Sequence, residues 1–214
     1  FTPMPVLQAY TAYTPYLDAL NARFFRDGSR APAFVILSLR TLDGRWPLIE
    51  SPLAWNAIHE NYEVLLYDEP HLLLKRRAAA RLIEYRMLSS VVCDRGQEIP
   101  LPADAEWVFI SADLKLSRWG RIVKWFFLIP PVTLRAAFAN GLIVDGRCIP
   151  DNLSSKTLVS FLALPVDLRE TAAFIQAGPG TNRVQRLAFG GPGLQFYEKD
   201  LQAPIFAGRP RATA

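Results

Sequence analysis

The run Phe34-Val-Ile-Leu-Ser-Leu39, followed by Asp43-Gly44-Arg45, begins the segment that decides the fold of this chain. The apolar run predicts a buried strand, and an Asp-Gly pair is typical of a turn. Ser51-Pro52 then predicts the start of a helix, because serine is a preferred N-cap and proline suits the first helical position.

Two further strands complete this segment. Residues 63–67 and 71–76 alternate or cluster apolar side chains on either side of Asp68-Glu69-Pro70, which predicts a hairpin. The order of elements is therefore strand–helix–strand–strand, and we assign residues 1–79 to an N-terminal α/β module.

A first helix is predicted before this segment. Thr14-Pro15 supplies the N-cap and the first helical residue, and apolar side chains recur at three- and four-residue steps to about Phe25. The chain begins at Phe1 without an initiator methionine, so we expect it to be a segment of a longer protein.

The remainder of the chain reads as short strands separated by Pro, Gly and Asn turns. Strands at this spacing predict an antiparallel β-sandwich, jelly-roll-like, over residues 80–207. One short helix is predicted at 167–177, because Asp167 and Glu170 form a capping-box pattern, and residues 208–214 are predicted to be a loose tail. The fold class is thus α+β, with the α/β module packed on the sandwich. The predicted strands are 82–92, 106–116, 132–139, 142–149, 156–164, 183–190 and 193–206.

Composition excludes several classes of protein. Half of the 214 residues are hydrophobic and 21% are charged, so the chain can form a core and is not disordered. The net charge is +4, but the basic residues are spread along the sequence. A dedicated nucleic-acid binder concentrates them on a recognisable motif, so we expect no nucleic-acid partner.

Neither metal nor cofactor chemistry has a sequence signature here. Cys93 and Cys148 each follow or precede apolar residues, which predicts buried thiols, with a single disulfide left open as the alternative. His59 and His71 are the only histidines, and neither lies in a ligand-spaced cluster. We expect both to lie at the surface, and we expect no metal and no cofactor.

Catalytic motifs are equally weak, and we assign no catalytic residue. No Gly-x-Ser-x-Gly occurs. Gly178-Pro-Gly180 and Gly190-Gly-Pro-Gly193 precede strand-like segments rather than helices, so they predict turns and not phosphate cradles. Asp68 with Glu69, or Asp43 with Glu50, could supply a pair of carboxylates, although nothing in the sequence fixes their separation.

The most unusual segment is residues 115–131, Lys-Leu-Ser-Arg-Trp-Gly-Arg-Ile-Val-Lys-Trp-Phe-Phe-Leu-Ile-Pro-Pro. Cations beside Trp and Phe are typical of the headgroup boundary of a bilayer, and the same rings could stack on sugars. The alternative is a loop or short helix whose aromatic rings pack beneath the sheets. The candidate contact residues are Trp119, Arg121, Trp125 and Phe127, with Arg45 and Trp46 as a weaker, exposed pair beside a turn.

A resemblance to a known family is carried by segments spread over most of the chain. They are Tyr13–Asn21, Pro32–Leu39, Asp43–Arg45, Ser51–Trp55, Tyr62, Leu72–Arg77, Pro130-Pro131, Leu134-Arg135, Phe161–Val166 and Arg183–Leu187. These segments resemble the extracytoplasmic domain that follows the last transmembrane helix in bacterial polytopic membrane proteins akin to the C-superfamily glycosyltransferases, which are lipid-dependent and membrane-embedded. In those proteins the catalytic acids lie in loops between transmembrane helices, so the resemblance transfers no catalytic residue.

This resemblance implies a soluble, non-catalytic domain on the periplasmic side of the inner membrane. It would bind or position a glycan or a lipid-linked sugar for the membrane-embedded remainder of its parent protein. Its partners would be that remainder and a glycan or an anionic lipid headgroup. A stand-alone carbohydrate-active enzyme and a purely structural or assembly domain are the alternatives.

Overall fold

The computed structural model describes residues 12, 14–38, 44–162, 168–178 and 183–211. Within them the chain combines helices with three antiparallel sheets, as an α+β fold requires. The helices are α1 (Pro15–Arg26), α2 (Pro47–Glu50), α3 (Pro52–Asn61), α4 (Arg118–Phe126) and α5 (Leu168–Ala177), with 3-10 helices at Pro150–Ser154 and Pro192–Phe196. The strands are β1 (Phe34–Leu37), β2 (Tyr62–Asp68), β3 (His71–Arg76), β4 (Leu82–Cys93), β5 (Ile99–Pro100), β6 (Trp107–Ile110), β7 (Val132–Phe138), β8 (Ile143–Cys148), β9 (Thr157–Leu158), β10 (Val184–Gly190) and β11 (Leu201–Arg211).

The N-terminal sheet has three strands in the order β1-β3-β2. The predicted hairpin is confirmed, since β2 and β3 pair from Tyr62–Arg76 to Asp68–His71. The prediction that the run at 34–39 is buried is wrong, because β1 is an edge strand and Phe34 and Ile36 are exposed. Only alternate residues of an edge strand can face the core, and here those are Val35 and Leu37.

Helices α1 and α3 pack together and begin where the sequence predicts. The Thr14 hydroxyl accepts a hydrogen bond from the amide of Leu17 at 3.3 Å. Ser51 is the N-cap residue of α3, but its side chain forms no capping bond. Asp18 of α1 takes over that role, because its carboxylate accepts hydrogen bonds from the amides of Leu53 and Ala54 at 2.9 and 3.0 Å.

The remaining strands form two four-stranded antiparallel sheets, in the orders β5-β10-β7-β8 and β4-β11-β6-β9. One buried cluster takes side chains from both sheets, such as Leu134 and Leu187 from the first and Ile110 and Ala203 from the second. A second cluster joins the three-stranded sheet and its helices to β6 and α5.

Three strand predictions differ from the observed bounds by more than two residues. The segment 106–116 is a strand only over β6 and continues through isolated bridges at Asp113 and Leu116. The described part of the segment 156–164 is a strand only over the two residues of β9. The segment 193–206 divides into a 3-10 helix and β11. The predicted loose tail at 208–214 is wrong as far as Arg211, which pairs with Leu82; β4 is long enough to bind this backbone, and residues 212–214 lie outside the described part.

Cys93 and Cys148 are both buried free thiols, which confirms the prediction of buried thiols over the alternative of a disulfide. Burial raises the pKa of Cys148 to about 12. The surface position expected for His59 is wrong, because its ring is buried among Trp55, Trp107 and Phe174. Helix α3 turns this residue toward the second cluster.

Candidate functional site

Helix α4 begins at a local capping signal. Ser117 is its N-cap, and the serine Oγ accepts a hydrogen bond from the amide of Gly120 at 3.0 Å. The same Oγ donates to the carbonyl of Phe196 at 2.9 Å. The helix ends where the amide of Phe127 donates to the carbonyl of Val123, shortly before the two prolines at 130–131, which could not continue it.

One side of α4 is fixed to the body of the protein through Gly120. A Cβ atom on Gly120 would overlap the backbone carbonyl of Phe196, so only glycine permits this approach. Beyond the C-terminal end of the helix, the amide of Gly193 donates to the carbonyl of Pro131 at 3.0 Å, and Gly193 is itself too close to Pro130 for any side chain. The glycine-rich segment 190–193 is therefore a turn, as predicted, and it supports the base of α4.

A face of α4 next to the Gly120 side is apolar and is exposed to solvent along most of its length. Trp119, Ile122, Val123 and Phe126 follow the i, i+3, i+4, i+7 pattern that places side chains on one face of a helix. Trp119, Ile122 and Phe126 are exposed. An amphipathic helix of a globular protein normally turns this face inward, so α4 has the reverse orientation.

The apolar surface continues beyond this face. Trp125 is 87% exposed, Phe127 follows the helix and is also exposed, and Leu128 is 97% exposed. We call residues 118–128 the α4 tip. The interpretation in which these aromatic rings pack beneath the sheets is wrong, because Gly120 rather than the rings faces the body of the protein.

Cations flank the apolar face. Arg118, Arg121 and Lys124 are all exposed, and none forms an ion pair within the described part of the chain. The α4 tip contains no Asp or Glu. Its charge is therefore purely positive and open to an external anion.

The structure brings four of the six candidate contact residues together, since Trp119, Arg121, Trp125 and Phe127 all belong to the α4 tip. Sequence reasoning did not select Ile122 and Leu128. The helical spacing of Trp119, Ile122 and Phe126 was a signal that could have found Ile122. No sequence pattern indicated that Leu128 would be exposed.

The exposed pair expected at Arg45 and Trp46 is wrong. Trp46 is 1% exposed, and its Nε1 donates to the carbonyl of Leu134 at 2.9 Å. The indole occupies the space above Gly146, where a Cβ atom would lie 2.5 Å from the Cδ1 of Trp46. Arg45 is largely buried, and its Nη1 lies 3.7 Å from the Oε1 of Glu50. Neither Arg45 nor Trp46 can therefore stack on a sugar.

The other chemical candidates form no recognisable site. Among the described residues, no group of three His, Cys, Asp or Glu could hold a metal ion. Glu50 is buried beside Arg45, while Asp43 and most of the glycine turn at 178–180 lie outside the described residues. No helix in the described ranges has the length and apolarity needed to cross a bilayer.

Comparison with protein-family models, curated proteins and solved structures found no match to this chain.

Proposed function

We propose that this domain rests on an anionic membrane surface through the α4 tip. The observation that carries the proposal is the outward orientation of the apolar face of α4. Trp and Phe rings at the end of a short basic helix suit the boundary between headgroups and acyl chains. Full burial of a large apolar side chain is worth about 1.5–3 kcal/mol, so a few such side chains can hold a domain at this depth.

Charge favours an anionic lipid over a neutral one as the occupant. Arg118, Arg121 and Lys124 lie beside the apolar face and form no ion pair with any residue that the structure describes. Each cation near a negatively charged leaflet contributes about 1 kcal/mol of attraction. A protein partner would have to provide a hydrophobic groove lined by acidic side chains, whereas an anionic bilayer offers both features at every point of its surface.

We further propose that the domain belongs to a bacterial integral membrane protein and lies on the periplasmic side of the inner membrane. In this position it would hold a glycan or a lipid-linked sugar for the membrane-embedded remainder of that protein, without catalysing a reaction. The resemblance to the extracytoplasmic domains of C-superfamily glycosyltransferases supports this part. We also interpret the two four-stranded sheets as a β-sandwich, which their shared buried cluster supports.

Liposome flotation tests the membrane contact. The chain is mixed with vesicles of phosphatidylcholine alone or with added phosphatidylglycerol, and the variant Trp125→Ala/Phe127→Ala is compared with wild type. We expect wild type to float with the anionic vesicles and the variant to remain at the bottom. The matched control is Phe34→Ala/Ile36→Ala, which removes exposed apolar side chains from β1 and should float like wild type.

Two outcomes would overturn the proposal. One is equal flotation of wild type and of a Trp125→Ala/Phe127→Ala variant that circular dichroism shows to be folded. The other is a concentration-dependent dimer that forms without lipid and is abolished by the same two substitutions, since the α4 tip would then bind a second copy of the chain.

A further inference from the structure

A cleft of about 350 Å³ lies between α1, α3 and the edge of the β4/β11 pair, and no residue of the α4 tip lines it. This volume is within the range of small-ligand sites in proteins. Its charged lining residues are Arg26, Glu60 and Lys156, so cations outnumber carboxylates.

Lys156 presents an unpaired positive charge to this cleft. Its Nζ lies 5.1 Å from the ring centroid of Tyr85 and 5.1 Å from that of Phe206. These cation–π contacts fix the position of the ammonium group but do not neutralise it. No carboxylate in the described part of the chain pairs with Lys156, so an anionic ligand group can do so.

Hydrogen-bond acceptors lie on another wall of the cleft. The Nε and Nη2 atoms of Arg26 both lie 2.9 Å from the Oε2 of Glu60, and Oε1 accepts no hydrogen bond among the described residues. The Nδ2 of Asn56 donates to the carbonyl of Lys156 at 2.8 Å. Asn56 lines the cleft, and its Oδ1 accepts no hydrogen bond within the described part of the chain.

Hydroxyl groups also line the cleft. Ser155 lines the cleft, and its hydroxyl has no partner in the described part of the chain. The hydroxyl of Tyr85 is likewise unpaired there, and burial together with the nearby Glu60 raises its pKa to about 12, so it remains a neutral donor. Among the described residues, the cleft is thus lined by one cation without a carboxylate partner, two acceptors and two hydroxyls without partners.

We infer that this cleft binds an acidic sugar residue, whose carboxylate pairs with Lys156 while its hydroxyls donate to Glu60 and Asn56. A simple anion has no donors for those two acceptors, and a neutral sugar leaves the charge of Lys156 unpaired. The inference does not depend on membrane contact, because the α4 tip contributes nothing to the cleft.

Ligand-observed NMR with the full chain tests this inference at neutral pH and without lipid. The probes are D-glucuronate, D-glucose and acetate. We expect millimolar binding of D-glucuronate and about tenfold weaker binding of the other two, the factor that corresponds to about 1.4 kcal/mol. Equal binding of acetate and D-glucuronate would reduce the site to a nonspecific anion site, and no binding of D-glucuronate would also overturn the inference.

Two variants locate the binding. Lys156→Met removes the charge and should weaken D-glucuronate binding about tenfold, whereas the control Lys75→Met, at an exposed position of β3, should leave it unchanged. Ser155→Leu fills the cleft without removing charge and should weaken both sugars. D-glucuronate binding that survives in folded Lys156→Met and Ser155→Leu proteins places the ligand elsewhere; if neither variant folds, the comparison of the three probes on wild type decides.

Discussion

Gly120 lies directly against the backbone carbonyl of Phe196, and this contact determines which side of α4 faces the protein. With Gly120 against the protein, Trp119 and Phe126 lie on a part of the helix that is exposed to solvent.

Gly120→Ala should destabilise the protein although alanine is the better helix former. The helix propensity of alanine favours the variant by about 1 kcal/mol, but its Cβ would collide with a backbone atom that cannot move independently. Overpacking of this kind costs about 1–3 kcal/mol, so we expect a net loss of stability or a displaced α4. Urea unfolding measures the effect.

The matched control is Gly28→Ala, where the nearest atom to a new Cβ is 3.9 Å away on the flexible side chain of Arg76. A Gly120→Ala protein as stable as Gly28→Ala, and equally able to float with vesicles, would show that the contact with Phe196 does not orient α4.

The three cations of the α4 tip should control the lipid preference. Replacing Arg118, Arg121 and Lys124 by Gln should lower the affinity for anionic vesicles by roughly hundredfold, from about 1 kcal/mol per charge. It should also flatten the salt dependence, because surface charges are screened by added salt. Vesicle titration at two salt concentrations measures both effects.

The control for this experiment replaces three exposed cations elsewhere, Lys75, Arg86 and Arg209, by Gln. It carries the same change in net charge. If both triple variants lose the same affinity, the attraction comes from net charge and not from the α4 tip.

His59 should make the protein sensitive to acid. Burial, with Arg81 and Arg77 nearby, lowers its pKa from 6.5 to about 3. As the pH falls, His59 is therefore protonated at a higher pH in the unfolded chain than in the folded one. Its contribution to stability is complete above pH 6.5 and declines as the pH falls toward 3. At pH 5 the loss is about 2 kcal/mol. His59→Phe should remove this dependence, as chemical unfolding at several pH values would show.

Asp18 should have the opposite effect and stabilise the folded protein as the pH falls. Burial raises its pKa from 3.8 to about 6, while the bonds from Leu53 and Ala54 act in the other direction. The contribution of Asp18 to stability is greatest below pH 3.8 and declines as the pH rises through 6. The effects of Asp18 and His59 on the free energy of unfolding therefore partly cancel between about pH 4 and 6. In Asp18→Asn the stability should fall more steeply with acidification than in wild type. An unchanged slope would mean that the folded state keeps Asp18 ionised.

Trp46→Phe should lower the free energy of unfolding by about 1–3 kcal/mol, because it leaves the carbonyl of Leu134 without its donor and opens space above Gly146. Trp125→Phe is the matched control and should cost almost nothing, since its indole is in solvent. Thermal unfolding compares the two. Equal costs would contradict the burial of Trp46.

The amino-acid sequence alone determined the elements whose signals are local. Thr14-Pro15 and Ser51-Pro52 mark helix starts, and alternating apolar residues mark the β2–β3 hairpin, because caps, proline and side-chain periodicity act within a few residues. It also placed Trp119, Arg121, Trp125 and Phe127 in one segment.

Only the tertiary structure decided which faces of these elements are buried. The backbone of Phe196 holds Gly120 inward, Gly146 makes room for Trp46, and β4 pairs with the chain as far as Arg211. Each of these contacts joins residues far apart in sequence, and whether an apolar side chain is buried or exposed depends on what lies across from it. Local patterns carry no information about that opposite surface, so the residues of α4 left open whether its apolar face is exposed or buried.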